Sequence, residues 1–404
     1  MILFFAVALI WIVLLLFKKE DALVFLLFSI TINFEAYGKS GFDIDAVLKL
    51  MFLLTVLVHV FIHKNKLRKI VPLIILGLVF VANLLFARFD SSYGISSYFT
   101  AIVSLFTGFF ICFILFAESQ RTKLLLTVSL MPLVSVVLGL LLWPVFGVNP
   151  FARGDAFGLA GASSSTNLAF FSAIGIGACS RLYYFDRKYK FLVLEIVNFI
   201  ILLATLTRGG VVAAVIIVVK DFIPFVKETM KTKNRLLSFS ILFVAAIPFI
   251  AFMINKMIDR TFVAGTLNTS GRIEGWTYIL SMSRNTYFGN GYGYLKTRTE
   301  HIISAFTAAH NEFLHLFVEL GVVGSILFFS ILLFIIYSLQ KNSKKFDWNL
   351  MFFFISFLIY SFFDNTLTNY RYWFPFCVVL SCCYIYPVKT TQKSEDSFNT
   401  KVKC

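Results

Sequence analysis

Apolar residues in this chain come as unbroken runs separated by short polar breaks, without the alternation of a strand or the narrow stripe of a surface helix. A hydrocarbon layer about 30 Å thick needs roughly 20 such residues in helical form. The pattern predicts spans at Met1–Phe17, Asp21–Phe34, Ile44–Ile62, Ile70–Phe86, Tyr98–Ala117, Leu124–Gly147, Asn167–Phe185, Phe191–Leu206, Val211–Val226, Leu236–Met257, Asn311–Leu339, Trp348–Phe363 and Tyr372–Pro387. Only Lys18, Lys19 and Glu20 separate the first two, so Met1–Phe34 reads as two spans or as one hairpin. Met1–Phe17 lacks a basic leader and a small-residue cleavage site, so it is expected to remain as an anchor.

Charge orients these runs. Lys and Arg number 36 against 21 Asp and Glu, a formal net charge of +15. Roughly two thirds of the basic residues fall in one alternate set of breaks, starting with Lys18–Lys19, which is the signature of cytoplasmic loops. The N-terminus is therefore expected outside and the tail from Lys389 inside. The basic surplus is topological and gives no reason to expect nucleic acid. The chain is 59% hydrophobic and 14% charged, with 50 Phe, and its mean hydropathy is +0.85. Soluble domains run near 45–50% and about 25%, so a soluble enzyme, a disordered chain and a disulfide scaffold are excluded. The expected fold is all-α: a polytopic integral membrane helical bundle of about 12–13 transmembrane helices with one long external loop, in contact with the lipid bilayer. The cysteines sit mostly in apolar runs without paired spacing, and read as neither disulfides nor metal ligands.

Both long loops fall on the external side: Asn149–Thr166 and Ile258–His310. A loop of about fifty residues is usually functional or a small domain, and Ile258–His310 is rich in Gly, Arg, Tyr and Asn, with helix-like stretches at Arg272–Met282 and Ser304–His310.

Three clusters on that side could carry chemistry. Arg208 ends one span beside Gly209 and Gly210; it reads either as a residue reaching for the headgroups or as an anion clamp at a helix N-terminus that the glycines open to a ligand. In the second, Ser270 or Thr269 could cap a short helix carrying Arg272 and Trp276, with Arg284 and a glycine turn at 289, 291 and 293 following. No strand precedes those glycines, which removes a dinucleotide reading and leaves a turn beneath a headgroup or sugar. In the third, His310 opens a long span, and Asn311, His315 and Glu319 follow at spacings of four on one helical face. The helix dipole disfavours a cationic His there, which suits a general base; His315 reads as a supporting or packing residue, and Gly321 and Gly324 as a seam for another helix. Asp43 and Asp45 form a D-x-D pair that could hold a divalent cation, but two carboxylates make an incomplete site and Asp at the start of a helix is ordinary capping, the favoured reading. His59 and His63 read as interfacial.

TRGG at 207–210, GRIEGW at 271–276 followed by YFGNGYGY, and HNEFLHLFVELGVVG at 310–324 resemble the O-antigen polymerase and O-antigen ligase superfamily. A weaker echo is RGDAFGLAGASSSTNLAFF, with Arg153 and Asn167. The resemblance implies a metal-independent, inverting glycosyltransferase of the bacterial inner membrane, without a cofactor and with its site on the periplasmic face. It implies donor and acceptor glycans on undecaprenyl diphosphate, with a flippase and a chain-length regulator as further partners. By position, Arg208 and Arg272 would hold the donor diphosphate and His310 would activate the acceptor hydroxyl. Arg153, Asn167, Trp276, Arg284, Asn311, His315 and Glu319 are further substrate or supporting candidates, and no metal is expected. It also implies a division into N-terminal helices at 1–147, a catalytic core at 148–340 including loop 258–310, C-terminal helices at 341–388 and a cytoplasmic tail at 389–404. A polymerase is favoured over a ligase because the chain is as Phe- and Ile-rich as many strain-specific polymerases. A transporter would also have about a dozen spans, but its polar groups would more often gather at a midplane site.

Overall fold

The computed structural model of this protein describes residues 2–38, 43–62, 71–153, 156–229, 248, 250–259, 261–263, 266–267, 272–295, 309–341 and 346–383. Helices occupy Ile2–Phe17, Lys19–Ser29, Ile44–Ile62, Val71–Phe86, Ile95–Phe113, Glu118–Phe146, Ser165–Asp186, Tyr189–Ala204, Arg208–Thr229, Arg272–Ser281, Glu312–Lys341, Trp348–Phe363 and Tyr370–Cys382. Residues 250–259 are also helical. Apart from two antiparallel ladders of two-residue strands, at 152–157 and 262–267, the regular structure described is helical. The protein is an all-α polytopic membrane bundle: six described helices are long and apolar enough to cross a membrane, and three shorter ones are equally apolar.

Helix Ser165–Asp186 forms the axis. Its side chains are buried along almost its whole length, and helices Glu118–Phe146, Tyr189–Ala204, Arg208–Thr229 and Tyr370–Cys382 pack around it. Glycine makes the close approaches: a Cβ on Gly175 would stand 2.9 Å from Asn198 Nδ2, and one on Gly177 would run into the Phe353 ring. Helix Tyr370–Cys382 is buried throughout, and of helix Ser165–Asp186 only the end at Phe185–Asp186 is exposed. The aliphatic faces of the outer helices, such as Leu9, Leu78, Leu85 and Ile326, are exposed as a bilayer requires.

Two expected spans differ from their prediction. Asp21–Phe34 was expected as one run, but the helix stops at Ser29 after 11 residues, about 16 Å. The chain continues through a turn into a 3-10 helix at Phe34–Tyr37. Non-helical backbone survives at this depth only where protein partners replace lipid; here Thr31 O accepts from Ser135 Oγ at 3.2 Å and Asn33 N donates to Ala162 O at 2.8 Å. The second is Asn311–Leu339, expected as one continuous helix, which breaks at Gly321, with φ 70° and ψ −177°. Most of Leu236–Met257, the end of Tyr372–Pro387, the cap at Thr269 and Ser270, the stretch from Ser304, His63 and the 389–404 tail lie outside the described residues.

Candidate functional site

The break at Gly321 organises one end of the bundle. A helix interrupted within an apolar run leaves carbonyls and amides that need new partners, and the turn Tyr287–Tyr294 supplies them. Asn290 N donates to Val318 O and Gly291 N to Glu319 O, both at 3.0 Å; Val322 N and Val323 N donate back to Thr286 O and Tyr287 O at 2.8 and 3.1 Å. The buried Glu319 carboxylate completes the joint, accepting from Gly293 N and Leu295 N at 2.8 Å each. Asn83, from helix Val71–Phe86, donates to Phe288 O and Glu319 O and accepts from Tyr292 N. The turn follows this path because Gly289, Gly291 and Gly293 all take positive φ, and side chains at 289 or 291 would collide with Glu319 O or, at 2.6 Å, with Tyr93 Oη. In the glycine turn, expected to lie beneath a sugar or headgroup, Gly289 and Gly291 are closed off by Glu319 and Tyr93, while Gly293 lines a cavity.

Above the joint opens a cavity of about 720 Å³, to which Tyr292, Gly293, Leu295 and His315 contribute from below. Its other walls come from the start of helix Ile44–Ile62 (Asp43, Asp45, Lys49), the face of Ile95–Phe113 carrying Ser96, Thr100 and Ser104, the first turns of Ser165–Asp186 (Thr166, Asn167, Phe170), Ala309–His310, and the 364–371 connection. These elements are far apart in the sequence, and the volume falls in the range of small-molecule clefts.

His310 stands at the cavity edge in a left-handed conformation, φ 45°, two residues ahead of helix Glu312–Lys341. Asn311 is that helix's cap, its Oδ1 accepting from Leu314 N at 3.1 Å, so the Asn serves the backbone and is absent from the cavity wall. His310 Nδ1 lies 3.0 Å from Asp364 Oδ1, with the imidazole 34% exposed and the carboxylate 9%. A carboxylate accepts a hydrogen bond from Nδ1–H and so leaves Nε2 as the basic nitrogen. Two anchors hold this pair. The Trp276 indole donates to Ala309 O at 2.8 Å and meets the Phe362 ring edge-on at 5.9 Å, while the fully buried Glu312 accepts from Leu367 N at 3.0 Å.

Of the two arginines, Arg272 comes within the field of Asp364, and neither lines the cavity itself. Arg272 opens helix Arg272–Ser281; burial lowers its pKa from the usual guanidinium value, with Asp364 and Tyr360 opposing the shift, and it remains charged. Arg208 opens helix Arg208–Thr229, with Nη1 3.3 Å from Thr261 Oγ1. The expectation that Gly209 and Gly210 admit a ligand gives way to packing: a side chain at 209 would strike Phe363, and one at 210 would stand 2.9 Å from Tyr360 Oη. These glycines pack the start of helix Arg208–Thr229 against the end of helix Trp348–Phe363.

The remaining candidates divide. Asn167 lines the cavity and accepts from Asn369 Nδ2 at 3.1 Å. His315 Nε2 is 2.9 Å from Glu319 Oε1, so this pair supports the joint and the cavity floor. Arg284 is exposed and does not line the cavity; the side chain of Arg153 lies outside the described residues. Gly321 forms the break and the seat for Tyr287, where a helix seam was expected; Gly324 faces Val79. His59, expected at the interface, is buried beside Phe116. Asp45 is engaged by Tyr370 Oη at 2.8 Å and Arg371 Nη2 at 2.9 Å, and Asp43 caps Ala46 N at 3.0 Å. Among the described residues no three His, Cys, Asp or Glu are grouped as metal ligands.

Sequence reasoning missed the 364–371 connection. Asp364, Asn369, Tyr370 and Arg371 all line the cavity, and Lys49 lies 5.2 Å from the Tyr370 ring centroid. The available signal was DNTLTNYR itself, a dense polar run between two apolar ones on the side already carrying both long loops.

Residues 194–329 match the sequence family described as O-antigen ligase, and the match takes in Arg208, Arg272, the glycine turn and His310. No curated protein is matched. The matched segment covers about a third of the chain and contains the break in the long helix, the turn that clamps it, and His310 and Arg272, which meet Asp364. At one end of a membrane bundle, residues 194–329 of this chain are thus similar to the O-antigen ligase family, which supports the O-antigen ligase and polymerase superfamily.

Proposed function

We propose that the protein is a polysaccharide polymerase of the O-antigen or capsular type, joining undecaprenyl-diphosphate-linked repeat units at the outer face of the bacterial inner membrane. The observation that carries this reading is the His310–Asp364 pair at 3.0 Å on the edge of a polar cavity, with Arg272 in the field of Asp364.

In the reaction, His310 Nε2 takes the proton from an acceptor sugar hydroxyl. The acceptor oxygen attacks the donor's anomeric carbon as the bond from that carbon to the diphosphate oxygen breaks, inverting the centre in one displacement. The electron pair leaves with the diphosphate, whose growing negative charge the two guanidinia take up through paired N–H donors. Asp364 stabilises the imidazolium formed on the way. With two fixed cations at the leaving group, the step needs no metal.

A ligase that transfers the glycan to lipid A-core is the second reading, favoured by the description of the matched family. The surface-glycan profile of a deletion strain separates the two. Loss of a polymerase leaves single repeat units on the core, whereas loss of a ligase leaves the core bare and lipid-linked polymer accumulating. A profile identical to the parent overturns both. The face is tested by an impermeant thiol reagent on spheroplasts: Lys296→Cys should label and Lys231→Cys should not, and the opposite pattern would move the reaction to the cytoplasm.

A further inference from the structure

Part of the cavity is used by neither the proton transfer nor the diphosphate clamp. Ser96, Thr100 and Ser104 recur every four residues along helix Ile95–Phe113, so their hydroxyls share one face over about 12 Å, and Ser97 lies beside them; all four line the cavity. Ser104 is 6% exposed, and its Oγ has no hydrogen-bond partner. The helix is clasped to Tyr370–Cys382 by Trp373, whose indole donates to Leu105 O at 3.0 Å. Arg371, two residues before that Trp, also lines the cavity. It is 7% exposed, and while its Nη2 is committed to Asp45, its Nε has no partner. The paired amides of Asn167 and Asn369 stand on the same lining, with the rings of Phe170, Tyr292 and Tyr370 among them.

The chemistry of this lining selects its ligand. An anion would meet Asp43 and Asp45, with the Arg371 charge already engaged by Asp45 and Lys49 over the Tyr370 ring. A lipid tail would leave Ser104 Oγ and Arg371 Nε buried without partners, at about 1–3 kcal/mol for each such group. Sugar hydroxyls donate and accept, matching a serine that can do both, a guanidinium N–H that only donates and an amide pair that offers either. Sugar C–H faces lie well on aromatic rings.

We infer that the Ser96–Thr100–Ser104 stripe, with Arg371 and the Asn167–Asn369 pair, is a glycan subsite that takes uncharged sugar units. Assigning those units to the acceptor chain rests on the transfer reaction proposed above; the sugar subsite itself rests on the cavity.

The probe is the free oligosaccharide repeat unit, released without its lipid from the producing strain's own polysaccharide. Its binding to the purified full-length protein in nanodiscs is read by saturation-transfer NMR, and transfer between lipid-linked units is measured on the same preparations. Wild type should bind the oligosaccharide. The Thr100→Val/Ser104→Ala double variant should bind it about tenfold more weakly at unchanged thermal stability, as expected for two lost hydrogen bonds. Arg371→Lys, which keeps the charge facing Asp45 and removes Nε, should weaken binding in the same way and carries the test if the double variant does not fold. No binding by wild type, or equal binding by the folded variants, overturns the subsite even if transfer is intact. Sugar binding that the variants weaken, without any transfer by wild type, removes the proposed reaction and leaves the subsite standing.

Discussion

Helix Trp348–Phe363 is flanked by two aspartates that end in opposite situations. At its start, Asp347 caps Leu350 N and pairs with Arg181, and the two side chains are 3% and 2% exposed. Arg181 also donates to Cys383 O at 2.9 Å, and nearby Lys220 is held by Asp221, Ser180 and Asn349. At the other end, Asp364 meets His310 on the rim of a cavity. Helix Ser165–Asp186 runs between the same two regions, with Asn167 at the cavity and Arg181 in the closed cluster, about 21 Å along its axis. Both regions place charge inside an apolar bundle, where an unpaired ion costs several kcal/mol. The closed cluster meets that cost by pairing charges within the protein. The open one faces a polar cavity, through which a substrate would reach the groups in the proposed reaction.

The largest expected effect is at the open aspartate. His310→Ala should lower the rate of glycan transfer about 10²–10⁴-fold, the usual contribution of a general base, and Asp364→Asn should give a substantial part of that loss. Thermal unfolding of both should stay near wild type, because the pair is partly solvated. An active His310→Ala enzyme would end the assignment.

At the closed aspartate the prediction inverts. Arg181→Met strands the Asp347 carboxylate in the bundle, and breaking a buried pair in this way costs about 3–5 kcal/mol. It should appear as lost folded protein, while the molecules that do fold transfer glycan at the wild-type rate. The Arg181→Met/Asp347→Leu double variant should recover most of the stability. If the single variant folds normally but loses activity, the two ends are not functionally distinct.

Gly321→Ala probes the joint between the regions. A φ of 70° with ψ near 180° is essentially reserved for glycine, and such strain costs about 1–3 kcal/mol; a Cβ would also meet the Tyr287 backbone. The expected result is a moderate fall in both melting temperature and transfer, since the turn it loosens forms the cavity floor. The smallest effect is expected from EDTA, which should leave the rate of purified enzyme unchanged. Inhibition that a divalent cation reverses would direct attention back to Asp43 and Asp45.

Much of this architecture could be read from hydropathy. Trp348–Phe363 occurs with the bounds expected of it, and the Ile44, Val71, Tyr189 and Arg208 helices begin within three residues of theirs. Two failures have one cause: Ile30–Phe34 and Leu320–Val322 are as apolar as the helices around them, and what ends the helices is a set of hydrogen bonds to Ala162, Ser135 and the 286–291 turn. The arginine, histidine and glycine clusters were visible as polar punctuation. Their tasks were less so, because Gly209 facing Phe363 and Gly289 facing Glu319 do structural work that local spacing cannot distinguish from ligand binding.

The sequence by itself determined how many apolar runs there are, which side keeps the basic loops and which side carries the long ones, since these depend on local composition and the thickness of a bilayer. Only the tertiary structure decided that Asp364 faces His310 across 54 positions and that Asp45 faces Arg371 across 326. Hydropathy drives a helix into lipid without specifying its rotation or its neighbours. Those are decided by steric fit between helices and by the requirement that every buried polar group find a partner, and both arise only once the whole chain is packed.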